Sequence, residues 1–320
     1  MATYDSVISR DDAEALIPED VSREIIEGAV EKSSVFEMAR RVPDMPRGKR
    51  RMPVLSMLPE AYFVSGGTDE GSGKKQTTKM AWENKWLYAE EIACIVPIDQ
   101  TVLEDADYDI WAQIKPGIMQ AFGKVIDAAI LFSTNKPTLW PSGITTGAAA
   151  AANTVVINSL ADLYEEIMGE SGIIAKVEAD GYIPDGHMAA IGIRGKLRSL
   201  RDADGGLIYV RDMTAKTGYT VDGATVKFPR NGCWDVTAAH FITGDWSQLL
   251  YAMRKDITYT VLREAVIQDA AGNIIYNLAQ QDMVALRCVM RCAWQLPNPI
   301  NPIQETEASR YPFGVLTPEA

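Results

Sequence analysis

The sequence predicts an α+β fold, and three observations support this prediction. Apolar residues recur every three or four positions between Asp99 and Phe132, which is the spacing of one face of a long helix. Two segments nearer the C-terminus, DITYTVLREAVI and DMVALRCVMRCAWQL, alternate apolar and polar residues as strands do. Two further strand-like segments flank the polar, glycine-rich stretch SGGTDEGSGKKQTT at 65–78. A chain of 320 residues is long enough for about two domains built from such elements.

The polar stretch at 65–78 predicts the turn of one long hairpin. RMPVLSMLPEAYFV precedes it and KMAWENKWLYAEEIACIVPI follows it, and both read as strands. Arms of about 15 residues reach roughly 50 Å at ~3.3 Å per residue. A two-stranded ribbon is only marginally stable in water by itself. Trp82, Trp86 and Tyr88 share one face of the ribbon, and we expect that face to lie on another copy of the same chain.

The elements on either side of the ribbon are less regular. Apolar spacing within 20–40 predicts a short helix inside an otherwise extended N-terminal arm. The long helix is expected to start at a capping aspartate, Asp107 or Asp109, and to end before Pro137. Residues 138–255 mix helix and strand. Five prolines after residue 296 favour an extended C-terminal arm.

Composition and motifs exclude several classes of function. A net charge of −12 argues against a general nucleic-acid-binding protein. No signal peptide or membrane span is visible, and the four cysteines suggest no disulfide framework, as expected of a protein made in the cytosol. GTDEGSGKK fails the phosphate-loop pattern, and no G-x-S-x-G elbow occurs. With only His187 and His240 available, zinc-ligand spacing is absent. We therefore expect no catalytic residues, no cofactor and no metal.

Charged residues are spread unevenly around the ribbon. A basic cluster lies within 40–51 and includes Arg47, Lys49, Arg50 and Arg51. Residues 90–109 hold seven acidic residues, among them Glu104 and Asp105, and no lysine or arginine. Both clusters are consistent with solvated faces. They are also consistent with complementary patches on neighbouring copies, which would set the register of a contact more than its affinity.

The order of these features resembles the major capsid protein family of tailed bacteriophages. The corresponding segments, in chain order, are the hairpin, VPIDQTVLEDADYDI, FGKVIDAAILF, the PSGI turn, KLRSLRDADGGLIY, ITGDWS and DMVALRCVMRCAWQLPNP. Within them, Leu103-Glu104-Asp105 and the helix ending at Asp127, Ala128 and Leu131 are similar to motifs of that family. Each motif is weak alone, but together they follow the family's order over about 50 to 300, most of the chain.

The resemblance implies a fold of the Hong Kong ninety-seven type, which encapsulins share. This phage capsid fold combines an N-terminal arm, a long extended β-hairpin loop, a peripheral domain with a long spine helix and a β-sheet, and an axial domain. The implied boundaries follow the chain: the arm at 1–47, the hairpin at 48–98, the peripheral domain with the spine helix at 99–137, the axial domain at 138–254, the peripheral closing strands at 255–299 and a C-terminal arm at 300–320.

The resemblance also implies a role in an assembly. Copies would form the pentamers and hexamers of an icosahedral virion head around double-stranded DNA, which they would not bind by sequence. A separate scaffolding protein and a portal are implied partners, no membrane is involved, and assembly would occur in the host cytoplasm. The residues expected at contacts between subunits are Tyr62, Phe63, Trp82, Trp86, Tyr88, Arg47, Lys49, Arg50, Arg51, Glu104 and Asp105.

Two alternatives stay open at this point. The first is an encapsulin-type compartment that stores cargo enzymes, and the second is a soluble enzyme with an unrecognised site. Some members of the capsid family also crosslink a hairpin lysine to an asparagine of a neighbour. The positions available for that reaction are Lys74, Lys75 and Lys79 as donors and Asn298 or Asn301 as acceptors.

Overall fold

A computed structural model of the chain describes residues 33–63, 75, 77–105, 110–157, 163–201, 206, 219–269 and 271–319. The helices are α1 (Ser34–Met38), α2 (Gln100–Asp105), α3 (Ile110–Phe132), α4 (Ile144–Ala150), α5 (Leu163–Met168), α6 (Ile173–Ala179) and α7 (Ile193–Ser199). The strands are β1 (Arg40–Arg41), β2 (Lys49–Met57), β3 (Ala81–Tyr88), β4 (Glu90–Asp99), β5 (Thr154–Val156), β6 (Gly186–Ala189), β7 (Tyr219–Val221), β8 (Ala224–Lys227), β9 (Phe241–Gly244), β10 (Leu250–Leu262), β11 (Val266–Gln268), β12 (Ile274–Asn277), β13 (Met283–Gln295) and β14 (Phe313–Thr317).

A four-stranded sheet carries the long helix. Its strand order is β1-β10-β13-β4, and the two 13-residue strands β10 and β13 pair antiparallel at its centre. The predicted alternation of β13 holds on one face, where Leu286, Cys288, Cys292 and Trp294 are buried. These residues form one core with buried residues of α3. The amphipathic patterns of strand and helix therefore match each other across a shared hydrophobic layer.

Helix α3 is the 23-residue element predicted from the apolar spacing. Its buried stripe includes Ile118, Phe122, Ile126 and Ala129, and the helix continues through Pro116. The apolar spacing noted from Asp99 onward is divided between two helices, because 100–105 form the separate helix α2 and α3 begins at Ile110. The capping aspartates Asp107 and Asp109 lie outside the described residues.

A glycine fixes the turn after α3. Ser133 has a φ of 60°, and its Oγ accepts a hydrogen bond from the Gly143 amide at 2.7 Å. A Cβ added at Gly143 would lie 2.6 Å from the Ser133 nitrogen, which is closer than atoms can pack. The glycine of the PSGI turn is therefore required by the close approach of two backbone segments.

A six-stranded mixed sheet in the order β5-β14-β9-β6-β8-β7 holds the second core. Helices α5, α6 and α7 contribute Leu163, Ile173 and Leu197 to that core. The C-terminal arm predicted for 300–320 is wrong for its last part. Residues 313–317 form the buried strand β14, which pairs parallel to β5 and antiparallel to β9. The segment Phe-Gly-Val-Leu-Thr contains no proline and can therefore join the interior of a sheet.

The hairpin is shorter than the predicted range 48–98. Strands β2 and β3 pair antiparallel from Lys49↔Tyr88 to Met57↔Ala81, and together they are called the ribbon below. Strand β4, which was expected to continue the ribbon, instead pairs with β13 as an edge of the four-stranded sheet. Most of the predicted turn at 65–78 lies outside the described residues.

The described part of the N-terminal arm lies on the body of the chain. Helix α1 follows the capping residue Ser33, and β1 adds a parallel strand beside β10. Val35 of α1 is fully buried in the core beneath α3. The remaining apolar positions of the predicted N-terminal helix pattern, such as Ile25, Ile26 and Val30, fall outside the described residues.

Candidate assembly surfaces

The described residues contain no cluster of metal ligands, and His187 is an internal residue. No group of three or more His, Cys, Asp or Glu side chains within them could hold a metal ion. His187 is buried, its Nε2 donates to the Val221 carbonyl oxygen and its Nδ1 accepts from the Thr243 hydroxyl, both at 2.9 Å. Burial lowers the pKa of His187, so the ring is neutral. Among the helices whose placement is described, none could span a bilayer.

A cavity of about 510 Å³ lies between α1, α3 and the four-stranded sheet. Its lining is largely apolar and includes Phe36, Met119, Phe122, Met253 and Met290. Active sites combine an apolar cavity with a few convergent polar groups. Here the polar groups are only Ser33, Glu37 and Asp256, which do not form a nucleophile–base pair.

The inner face of the ribbon packs on the body of its own chain. Leu87 is fully buried and Val54 is 9% exposed. Leu87 forms a small core with Met45, Ala252 and Ala293. Two hydrogen bonds also join the edges of the ribbon to the rest of the chain. The Trp86 carbonyl accepts from Gln295 Nε2 at 3.0 Å, and the Leu55 carbonyl accepts from the backbone amide of residue 300 at 3.1 Å. The base of the ribbon therefore does not need another copy for its stability, contrary to the expectation from sequence.

The outer face of the ribbon is aromatic and open to solvent. The register places Trp82 and Trp86 on the face opposite Leu87. Trp82 is 63% exposed and Trp86 is 36% exposed. Lys49 Nζ lies 5.4 Å from the centre of the Trp86 ring, so a cation covers part of this face. Tyr88 shares the face and is half-buried at the root of the ribbon.

Two more aromatic residues follow β2 toward the hairpin turn. Tyr62 is 44% exposed, and Phe63 is fully exposed. Together with Trp82 and Trp86 they form an aromatic set that stays at least partly open to solvent in the single chain. Large exposed aromatic groups on a projecting element are typical of a surface that another protein covers. The predicted contact residues Tyr62, Phe63, Trp82 and Trp86 are thus accessible.

The basic cluster is divided between internal and open positions. Arg47, Lys49 and Arg51 are exposed. Arg50 is half-buried, and its guanidinium donates to the Pro43 and Asp44 carbonyls at 2.6 and 2.7 Å. Arg50 therefore shapes the loop before β2, while the other three cations are accessible to another molecule.

The acidic residues of the segment 90–109 also differ in their surroundings, since some bind groups of their own chain and others are exposed. Glu91 pairs with Arg291 across the sheet. Asp99 accepts from the Thr101 amide and hydroxyl at 2.9 and 2.8 Å, and these hydrogen bonds lower its pKa. Glu104 is exposed and accepts from Gln100 Nε2 at 2.8 Å. The side chain of Asp105, like all of residues 106–109, lies outside what the structure describes.

The basic cluster and helix α2 lie at opposite ends of β4. Lys49 pairs with Tyr88 just before β4 begins, whereas α2 follows its last residue, Asp99. Ten strand residues span about 33 Å at ~3.3 Å each. The predicted basic and acidic patches are therefore too far apart to pair with each other within one chain.

Asp127 fastens the N-terminal arm to the end of α3. Its carboxylate accepts from Ser33 Oγ at 2.5 Å, the Ser34 amide at 2.9 Å and the Val35 amide at 3.3 Å. It also accepts from Asn231 Nδ2 at 2.7 Å. Burial raises the pKa of Asp127, although its hydrogen-bond donors favour the ionised form and oppose this rise. The sequence presents Asp127 only as part of the motif at the end of the helix, and its role as an anchor was not predicted.

The two candidate acceptor asparagines have structural roles. Asn298 Oδ1 accepts from the Tyr182 hydroxyl and from Arg310 Nε, and its Nδ2 donates to the Arg310 carbonyl. Asn301 Nδ2 donates to the Asp180 carbonyl, and its Oδ1 caps the turn at 303–304. Lys75 and Lys79 are exposed, and Lys74 lies outside the described residues. A crosslink at either asparagine would therefore break a hydrogen-bond network that the fold uses.

One feature of the sequence could have indicated that Asp127 has buried hydrogen-bond partners. Asp127 is an acidic residue within the apolar end of α3, in a run that continues with Ala128, Ala129 and Ile130. A charged side chain at such a position must find partners, because burying it alone is costly. Its partners come from residues about ninety to one hundred positions away, which a local pattern does not identify.

Comparison with known proteins agrees with this architecture. A family model described as the phage capsid family matches residues 13–304. The major capsid protein of Staphylococcus phage 80alpha is 24% identical over 297 residues, which cover 90% of this chain and 84% of that protein.

Solved structures give the same result. A chain from Microbacterium phage Oxtober96 has a TM-score of 0.85 at 34% identity, covering 98% of this chain and 100% of its own. A chain from Mycobacterium phage Cain has a TM-score of 0.84 at 31% identity, covering 98% and 99%. The α+β fold of the Hong Kong ninety-seven type, predicted from the order of the motifs, is confirmed. The chain therefore belongs to the phage capsid family and is a structural major capsid protein of a phage virion.

Proposed function

We propose that copies of this chain associate as pentamers and hexamers of an icosahedral head around double-stranded DNA, with the outer face of the ribbon against a neighbouring copy. The observation that carries this proposal is the contrast between Trp82, 63% exposed, and Leu87, fully buried, on one short strand. The ribbon is held by its own chain on one side only. Its aromatic side has no reason to be apolar in an isolated subunit.

The free energy available from this contact is substantial. If each tryptophan buries ~100 Å² on assembly, at ~25 cal/mol/Å² the gain is roughly 2.5 kcal/mol for each residue before ordering costs. Tyr62 and Phe63 would extend the contact toward the hairpin turn. Many copies of a modest contact make a durable closed shell, because each subunit is held by several neighbours at once.

Charge complementarity would set the register of the contact. Arg47, Lys49 and Arg51 form an exposed basic patch, and Glu104 and Asp105 belong to helix α2 at the far end of β4. Because a single chain cannot bring the two together, they support pairing between copies. In this proposal the four-stranded sheet with α3 is the peripheral domain, and the six-stranded sheet is the axial domain.

The remaining partners follow from the same assignment. A separate scaffolding protein and a portal would direct assembly in the host cytoplasm, where the four cysteines would stay reduced. The packaged DNA would be enclosed without sequence-specific binding, and the net charge of −12 supports weak contact with phosphate. We infer no enzymatic activity, and the structural role of the phage capsid family supports this inference. The phage origin of the similar structures favours a virion over a storage compartment.

The outer face can be tested by removing both tryptophans. Trp82→Ser with Trp86→Ser should leave a folded subunit with an only slightly lower melting temperature, because Trp86 also contacts its own chain, and should abolish closed shells. Shells are counted by negative-stain microscopy and sedimentation, under conditions in which the wild-type chain assembles. Ile183→Ser is the matched control, because Ile183 is 80% exposed and lies outside the ribbon. Closed shells of normal size from the double variant would overturn the proposal.

A further inference from the structure

The four-stranded sheet places two cysteines directly opposite each other. Cys94 of the edge strand β4 is the register partner of Cys288 on β13. Side chains of directly opposed residues in an antiparallel pair lie on the same face, with Cα atoms about 4.5–5.5 Å apart. Disulfides form between Cα atoms about 4.4–6.8 Å apart. The backbone register therefore already meets the distance requirement of a disulfide.

The other cysteines do not share this geometry. Cys292 lies four residues along β13, opposite Glu90, and is ~13 Å from Cys288. Burial raises the pKa of the Cys292 thiol to about 12, which suppresses the reactive thiolate. Cys233 is buried outside the sheet. None of the four cysteines is in a disulfide in the structure, so Cys94 and Cys288 form a pair that is in position but not bonded.

The two paired thiols differ in their access to solvent. Cys94 is half-buried at the edge of the sheet, whereas Cys288 is fully buried beneath α3. Burial also raises the pKa of Cys288, so it is a poor first target for an oxidant. A small oxidant would therefore react first at Cys94, and Cys288 would act second as the resolving thiol.

We propose that Cys94 and Cys288 form a latent disulfide that a peroxide closes across β4 and β13. The Cys94 sulfur attacks one peroxide oxygen, the O–O bond breaks, and a sulfenic acid and water result. The Cys288 sulfur then attacks the Cys94 sulfur, an S–S bond forms, and a second water leaves. Two thiols are thus oxidised and one peroxide is reduced to two waters. The step does not depend on shell assembly, because both thiols belong to one chain.

The disulfide would hold the strand from which the ribbon projects. Strand β3 of the ribbon leads through Ala89 directly into β4, and the new bond would join β4 to a strand about 190 residues further along. Crosslinks that close long loops restrict the unfolded chain most. The cytosol keeps such thiols reduced, and the surroundings of a released particle do not. The bond would therefore stabilise the root of the ribbon after release.

The test oxidises the purified, folded chain with hydrogen peroxide, alkylates remaining thiols under denaturing conditions and maps the peptides without reduction. We expect one linked peptide pair, containing Cys94 and Cys288, in the wild-type chain and in the matched controls Cys233→Ser and Cys292→Ser. Cys94→Ser and Cys288→Ser should give no linked peptide. The linked chain should also melt at a higher temperature, and dithiothreitol should reverse the shift.

Three outcomes would overturn the proposal. The first is folded wild-type chain that gains oxygen at Cys94 without any linked peptide. The second is a link from Cys94 or Cys288 to Cys233 or Cys292 at comparable yield. The third is a linked chain that melts no higher than the reduced chain, which would contradict the stabilising role. The first two outcomes are measured on the wild-type chain alone, so they do not depend on whether a serine variant folds.

Discussion

The two faces of the ribbon have opposite roles although their residues alternate along the same strands. Leu87 is fully buried against Met45, Ala252 and Ala293 of its own chain, whereas Trp82 on the other face is 63% exposed. The inner face completes the fold of one subunit. The outer face keeps the Trp82 ring and part of the Trp86 ring in contact with water. Stability of the subunit and competence for assembly are therefore encoded on separate sides of one element.

The largest expected effect tests the inner face. Leu87→Ala should lower the free energy of unfolding of the isolated subunit by about 2–5 kcal/mol, because it removes a fully buried side chain and leaves a cavity. Urea unfolding followed by circular dichroism measures the change. Trp82→Ala is the matched variant from the outer face, and it should change the same quantity by only about 0.5 kcal/mol.

Two outcomes for Leu87→Ala and Trp82→Ala would contradict the difference between the inner and outer faces of the ribbon. If Trp82→Ala destabilised the isolated subunit as much as Leu87→Ala, the outer face would be part of the monomer core in solution. If Leu87→Ala left the urea midpoint unchanged, the ribbon would not be seated on its own chain. Either result would remove the distinction between a self-packed face and an open face.

A second prediction concerns the core of the six-stranded sheet, far from the ribbon. Burial lowers the pKa of His187 below its value of about 6.5 in the unfolded chain, so below pH 6.5 the unfolded chain binds the proton more strongly. The stability that the neutral ring provides is present above that pH and is lost as the pH falls toward the lower folded pKa. The loss should reach at most about 1.4 kcal/mol per pH unit.

Urea midpoints of the subunit between pH 7.5 and 5.5 measure this loss. In His187→Gln the pH dependence in that range should become weaker, and the residual slope reports His240, whose pKa partial burial lowers, and Asp127, whose pKa burial raises. A wild-type midpoint that stayed flat or rose on acidification would contradict a buried, neutral His187. The effect should be the same in Trp82→Ala, because the outer face takes no part in the subunit fold.

The sequence predicted those helices and strands whose buried face is visible in their own local spacing of apolar residues. The spacing of apolar residues predicted α3, and alternation predicted β13, since a helix or strand that is apolar on one side reveals its buried face locally. The strand predicted over 256–267 matches only the second half of β10, which begins at Leu250, and its last residues belong to the separate strand β11. The same alternation placed Trp82 and Trp86 on one face of the ribbon. It did not reveal that Leu87, the residue directly after Trp86, would find partners in β10 and β13.

Contacts between distant segments could not be predicted in this way. The prolines of the C-terminal region favoured an extended arm, yet Phe313–Thr317 completes the interior of the six-stranded sheet. Whether an extended segment is free or paired depends on an available strand edge, here between β5 and β9, and not on the segment alone. The anchoring of Ser33 by Asp127 is a second case, because its donors and acceptor come from separate regions.

The smallest expected effect lies at the edge of the inner face. Lys85 of β3 pairs with Glu307 at 2.5 Å and joins the ribbon to the C-terminal segment. Both side chains are partly exposed, so water screens the pair and Glu307→Gln should cost only about 0.2–1 kcal/mol. Urea unfolding at low and high salt, in a double-mutant cycle with Lys85→Met, isolates the coupling between the two charges. A coupling of several kcal/mol that salt did not weaken would mean that an ion pair, and not the burial of Leu87, seats the ribbon on its own chain.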